Sequence, residues 1–286
     1  MGRNVDINLY AYGNAAGNSD CKNGPDILKA AIEKTLPKNT YSLLSHLSVH
    51  NQHQQTKAIP DIIHLSTQLA HSTAQSVSNH HFFVTIGGDH SAAIGSWSGA
   101  AKAVPTLGLI WFDAHMDAHT PQTTPSHNVH GMPLAILLGH GEPTLTTIAT
   151  PHPKLKPENV VLMGVRSFES GEAALLKQLG VTVFYMDDIK KLGMKTVIEK
   201  TIAIVTQHTT HFGISIDLDG FDPMDVPGVG SPAADGIRVN DFLPHFSLIA
   251  HHPNLIGADI VEFNPARDQN QQTEKVAMQL LSAFIT

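Results

Sequence analysis

Leu107-Gly108-Leu109-Ile110-Trp111-Phe112-Asp113-Ala114-His115-Met116-Asp117 is a short apolar run that ends abruptly in two carboxylates and an imidazole at alternate positions. The run itself reads as a strand buried on both faces, the pattern of parallel strands covered by helices. Working outward, similar runs occupy residues 5–10, 82–86, 160–165, 181–185, 212–216 and 255–261. Helical spacing separates them at 26–34, 60–77, 171–179, 239–250 and 273–284, and Gly24-Pro25-Asp26 is a good helix start because proline in a first turn gives up no needed N–H. This alternation predicts one parallel, doubly wound sheet.

In such sheets the ligand crevice lies beyond the carboxyl ends of the strands. Four predicted strands run into chemically unusual residues: Gly87-Gly88-Asp89-His90-Ser91, Asp113-Ala114-His115-Met116-Asp117, Asp217-Leu218-Asp219-Gly220 and Glu262-Phe263-Asn264-Pro265. Alternate residues of an extended segment point to one side, so Asp113, His115 and Asp117 share a direction, as do Asp217 and Asp219. With His90 they offer four carboxylates, two imidazoles and no thiolate, a donor set for harder divalent ions such as Mn²⁺. Two such ions balance the four negative charges, and a water between them would ionise near neutral pH. Asp222-Pro223 reads as the turn after the last of these strands.

The rest of the composition narrows the class. The 286 residues carry a net charge of −7, are 42% apolar and 15% charged, and contain no basic run for nucleic acid and no apolar stretch long enough to cross a membrane. Met1-Gly2-Arg3-Asn4-Val5-Asp6 has no apolar signal core, and Cys21 has no second cysteine to bridge, so a reducing cytoplasm is expected. Of the 19 histidines, His80, His81, His251 and His252 read as solvated strand flanks, and His46, His50, His53, His64 and His71 as residues in or near helices. Two patternless stretches, 118–129 and 220–238, are long enough to be functional walls. His130 closes the first and is a candidate proton shuttle.

Taken together, the five motifs Gly87-Gly88-Asp89-His90-Ser91, Asp113-Ala114-His115-x-Asp117, His130-Gly131-Met132-Pro133, Ser215-x-Asp217-x-Asp219-x-x-Asp222-Pro223 and Glu262-Phe263-Asn264-Pro265 resemble those of the ureohydrolase family of arginases, agmatinases and formiminoglutamases. Ser126-His127-Asn128 before the His-Gly motif, Pro227-Gly228-Val229-Gly230-Ser231-Pro232, and Gly164-Val165-Arg166-Ser167 followed by Glu172 most resemble arginases. The resemblance implies one three-layer α/β/α domain over 1–286, built on an eight-stranded, mostly parallel sheet, and assembled into a homo-oligomer, trimer or hexamer. It also implies two Mn²⁺ ions, one held by His90, Asp113, Asp117 and Asp217, the other by His115, Asp113, Asp217 and Asp219. By the same resemblance the substrate is L-arginine, hydrolysed to L-ornithine and urea, with agmatine, guanidinobutyrate or formiminoglutamate as alternatives and a catalytically silent binding protein as a different class. Glu262 would hold the guanidinium and His130 relay the proton. Ser126 and Asn128, with Thr124 beside them, would take the α-carboxylate, and Glu172 with Glu169 the α-amino group. Two positions depart from the arginase pattern: His119 stands where an Asn is usual, and Glu169 where an Asp is usual.

Overall fold

The structure is a computed structural model that describes every residue except Met1, Gly2, Asn18, Gln52 and Thr286. Eight strands, β1 (Val5–Tyr10), β2 (Ser42–Leu47), β3 (Phe82–Gly87), β4 (Leu107–Phe112), β5 (Val160–Val165), β6 (Thr182–Tyr185), β7 (His211–Asp217) and β8 (Leu255–Val261), form one sheet in the order β2-β1-β3-β8-β7-β4-β5-β6. Every pairing is parallel. The helices are α1 (Gly24–Thr35), α2 (Ile59–Ser78), α3 (Ala92–Ala103), α4 (Pro133–Leu137), α5 (Pro143–Thr146), α6 (Ser170–Leu179), α7 (Met186–Leu192), α8 (Met194–Gln207), α9 (Val239–Ala250) and α10 (Gln272–Ile285). No helix among the described residues is long and apolar enough to cross a membrane.

Both sheet faces are covered, which is why the strands are nearly continuous in apolar residues. On one face Leu28 of α1, Val197 of α8, Phe242 of α9 and Leu280 of α10 pack against Val84, Ile110 and Ile214. On the other, Trp97 of α3 and Leu176 of α6 pack on Phe83, Leu109 and Leu162, with Ile62 and Leu69 of α2 beside them. Helix α3 escaped the sequence pattern because it is buried all round and shows no polar stripe, its chain being Ala-Ala-Ile-Gly-Ser-Trp-Ser-Gly-Ala-Ala-Lys-Ala. Its Gly99 lets α2 approach closely: a Cβ there would lie 2.2 Å from the Ala70 carbonyl. Strand β2 was missed for the opposite reason. It is a sheet edge with Leu43 and Leu44 exposed, so its residues neither alternate nor run apolar. His46 therefore lies on a strand rather than in a helical region, paired with Asp26 of α1 at 3.2 Å. Helices α7 and α8 were likewise absent from the sequence reading.

Register places the site. Ile86 of β3 pairs with Ile260 of β8, Ile260 with Ile216 of β7, and Ile216 with Phe112 of β4. One apolar row thus crosses the four middle strands, and the chains emerge level from it. These are the four strands whose ends carry the motifs, now side by side.

Candidate active site

Level emergence brings six side chains into contact. His90 Nδ1 lies 2.9 Å from Asp117 Oδ2, 3.2 Å from Asp217 Oδ2 and 3.3 Å from Asp113 Oδ2. His115 Nδ1 lies 3.4 Å from Asp113 Oδ1 and 3.3 Å from Asp219 Oδ2. Two groups able to hold a metal follow, His90-Asp113-Asp217 and Asp113-His115-Asp219, sharing Asp113. Their fit to cations is testable in the hydrogen bonds. Ser215 of β7 donates its hydroxyl to Asp259 Oδ2 of β8 at 3.2 Å, so at 3.0 Å it must accept from His90 Nε2–H. That leaves the lone pair of the buried Nδ1, which has no hydrogen-bond partner, aimed at three carboxylate oxygens. A lone pair facing anionic oxygens is repulsive unless a cation lies between them. The spacing agrees, since donors about 2.1 Å from a hard divalent ion lie about 3 Å from one another.

Trp111 braces this arrangement. Its ring stacks on His90 with centroids 4.2 Å apart, and its Nε1 donates to Asp113 Oδ2 at 2.9 Å. Packing the carboxylates together shifts their acidity. Burial, then the charges of Asp219 and Asp113, push Asp217 well above the usual carboxylate range, and burial lifts Asp219 to about 6. Burial also acts on Asp113, but its imidazole neighbours His115 and His90 outweigh it and hold that carboxyl low. So dense a cluster of negative charge needs divalent cations to stay ionised.

Glu262 enters beside it from the end of β8, with φ 65°, a left-handed conformation uncommon for a residue with a Cβ. Its Oε1 accepts from the His90 N–H at 3.0 Å and lies 2.9 Å from His130 Nδ1. Its Oε2 faces the Cys21 thiol at 3.4 Å. Gly230 makes room for it, since a Cβ there would lie 2.4 Å from Oε2. Burial alone would lower the His130 pKa, yet Glu262 raises it to about 9, and His130 in turn holds Glu262 below its ordinary value. Asp222 makes the turn expected of it: its carboxylate accepts from Met224 N and Gly236 N at 2.9 and 3.0 Å.

A second polar cluster forms from the loop after β4 and the start of α6. His119 Nε2 is 3.0 Å from Glu169 Oε2 and 3.6 Å from Glu172 Oε1, and its Nδ1 is 3.1 Å from Thr123 Oγ1. The two glutamates form a capping box at the N-terminus of α6, Glu172 accepting from Glu169 N at 3.0 Å. His119, which stands where an Asn is usual, is thus already paired, and with the residue expected at the α-amino group. Thr124 and Ser126 accept backbone N–H groups of His127 and Asn128 within their own loop, which leaves each hydroxyl hydrogen free. Asn128 Oδ1 is buried without a partner among the described residues, facing Gly17. Arg166, taken with the amino-group segment, turns away: its guanidinium donates to the carbonyls of Asp219, Gly220, Phe221, Ala233, Ala234 and Gly164. The histidine pairs lie at the opposite end of the strands, where His80, His81, His211, His251 and His252 line a cavity of about 700 Å³.

A family model described as the arginase family matches residues 8–286. The chain belongs to the arginase family. The arginase of Bacillus caldovelox is 42% identical over 217 residues, 76% of this chain and 73% of that protein. Among solved structures, arginase from Bacillus subtilis superposes with TM-score 0.93 at 32% identity, covering 99% of this chain and 98% of the other. Arginase from Entamoeba histolytica in complex with L-ornithine gives TM-score 0.91 at 28% identity, covering 100% and 98%.

Within this arginase-family chain, four residues near the cluster were given no role by the motifs: Trp111, Ser215, Asp259 and Cys21. Asp259 was detectable, as a carboxylate inside the otherwise apolar strand 255–261. Trp111 and Cys21 carried no such signal, because their roles depend on which chain ends meet.

Proposed function

We propose that the chain hydrolyses L-arginine to L-ornithine and urea with two Mn²⁺ ions. The observation that carries this reading is the doubled His/Asp cluster, sharing Asp113, in a chain that aligns with arginases along most of its length. His90, Asp113, Asp117 and Asp217 would hold one ion, and His115, Asp113, Asp217 and Asp219 the other. When bound, divalent ions supply Lewis acidity and lower the pKa of coordinated water. The remaining work falls to the protein. Oε2 of Glu262, which faces the weak thiol donor of Cys21, accepts from the guanidinium, while Oε1 keeps His130 in place. His130, a cation below about pH 9, holds a proton on the side chain that faces the departing amine of ornithine. Thr124, Ser126 and Asn128 turn spare hydroxyl and amide groups toward the α-carboxylate. One domain and a homo-oligomer (trimer or hexamer), carried from the family, and a cytoplasmic location, argued from the single Cys21, complete the reading.

The test is urea release with added Mn²⁺ from L-arginine, agmatine and 4-guanidinobutyrate. Agmatine keeps the ammonium and lacks the carboxylate, and guanidinobutyrate is the converse. L-Arginine is expected to exceed both by at least ~10²-fold in kcat/KM, because polar groups left unpaired by a truncated ligand reject it strongly. Equal or better turnover of either truncated guanidine overturns the arginase assignment within the family.

A further inference from the structure

A group of histidines gathers far from the metal ligands. His80, His81, His211, His251 and His252 ring the cavity of about 700 Å³ at the amino ends of the strands, and Arg3 is part of its wall. Val77, Phe82, Val104, Leu255 and Ile256 give the lining an apolar side, and among the described residues no acidic side chain belongs to it. Asp6 is buried and already engaged by His81 Nδ1 at 3.1 Å.

Arg3 is the fixed charge of this cavity. Its guanidinium lies over the Phe82 ring, 4.3 Å from the centroid, and donates to the Ala250 carbonyl. Among the described residues no carboxylate pairs with it, and burial alone displaces its pKa, downward. A guanidinium has five N–H donors, so one carbonyl leaves most of them without a protein acceptor. A cation drawn partly out of water without a counter-ion carries a cost that an anion in the cavity would remove.

The imidazoles supply donors rather than a metal cage. Among the described residues no three His or carboxylate donor atoms of this cavity come within 4.8 Å of one another. His252 Nδ1 accepts from Asn254 N at 3.2 Å and burial lowers the pKa of the ring, so the proton of the neutral imidazole sits on Nε2 as a donor. His80 ends α2 in a left-handed conformation, φ 59°, with His80 N bonded to Val77 O and His81 N to Ser76 O. That pair of bonds closes a helix at a position glycine usually fills, so the His80 side chain stands on the cavity wall at the expense of backbone ease.

We propose that this cavity binds an organic phosphate, a phosphate group carried on an apolar body, at a site separate from the metal cluster. Three phosphate oxygens match a set of more than two donors, Arg3 and the rim imidazoles, while the apolar body lies against Val104, Leu255 and Ile256. A six-residue strand such as β4 is about 20 Å long, so a ligand here reaches neither the metal ligands nor the substrate. The inference goes beyond the arginase reading and does not depend on it.

Phenyl phosphate is the probe, with inorganic phosphate and phenol as its two halves, each titrated calorimetrically into Mn²⁺-loaded wild type, Arg3→Gln and His80→Gly. Phenyl phosphate is expected to bind wild type saturably and at least ~10-fold tighter than either half. Arg3→Gln should weaken it at least ~10-fold, the scale of a lost hydrogen bond to a charged group. His80→Gly should weaken it too, yet melt at a higher temperature, because glycine relaxes the left-handed position. Thermal melts establish that each variant is folded, and urea release from L-arginine should be unchanged in both. No saturable binding by wild type, equal binding by wild type and Arg3→Gln, or affinity no better than that of inorganic phosphate would each overturn the proposal.

Discussion

Replacing Ser215 with Ala removes one oxygen from the middle of the sheet and tests the metal reading from outside the ligand set. The serine is fully buried on β7, paired in register with Asp259 of β8, and its hydroxyl joins that carboxylate to His90 Nε2. Alanine fits the same strand position, so the sheet keeps its register. What goes is the acceptor that fixes the proton on Nε2 and leaves Nδ1 as a bare donor toward the ion. Asp259 also loses a donor, although burial already pushes its carboxyl up to about 6. Partners behind a metal-ligating histidine are typically worth 10–100-fold in metal affinity, about 1.4–2.7 kcal/mol. Mn²⁺ affinity, measured by competition with a fluorescent chelator, should fall by that factor, and the ion on the His90 side should be lost first in metal counts after gel filtration. At saturating Mn²⁺, kcat should return close to wild type, because Ser215 touches no substrate. Affinity within twofold of wild type would refute the argument that Ser215 orients His90.

Asp113→Ala or Asp217→Ala should abolish retention of both ions and all turnover, and two Mn²⁺ per chain in either variant would disprove the shared-ligand assignment. His130→Asn should retain both ions and lower kcat by ~10²–10⁴, the usual contribution of general acid–base groups, with kcat at saturating L-arginine as the measurement. The same histidine makes a stability prediction: its folded pKa of about 9 lies above the reference 6.5, so its pairing with Glu262 stabilises fully below pH 6.5 and the benefit fades as pH rises through 9. The gap in melting temperature between metal-free wild type and His130→Asn should close across that window. Arg166→Lys exchanges a planar five-donor fork for three donors and should loosen the loop carrying Asp219, seen as a lower Tm and weaker binding of the second ion.

How much could be read from the chain follows from where each signal resides. The metal ligands were legible because strand-end residues at alternate spacing are a local pattern, and a general rule for parallel sheets says which way they face. Strands β4, β5 and β8 fell on their sequence boundaries because burial on both faces makes the strand itself nearly all apolar, and β1 did so on its alternating Val5, Ile7 and Leu9. Edge strand β2 and the all-buried α3 have no such local contrast. The stacking of Trp111 on His90 and the contacts of Ser215 and Cys21 join residues far apart in sequence, so spacing could not reveal them. The pairing of His119 with Glu169 is the sharpest case: both residues were noticed as departures, and only the fold shows that they depart together.

The sheet order has a consequence for how the protein is made. β8 lies between β3 and β7, so before it docks the sheet exists as two fragments, one of three strands and one of four. His90 follows β3 on the first fragment, while Asp113, Asp117, Asp217, His115 and Asp219 belong to the second. Most of the chain must therefore leave the ribosome before the two halves of the cluster can meet, and β3 and β7 expose unpaired edges until then. The group that includes His90 can close only when the fragments meet, whereas the group of Asp113, His115 and Asp219 lies wholly on the second. A lesion anywhere in 255–261 should therefore yield two partly ordered fragments instead of one weakened protein.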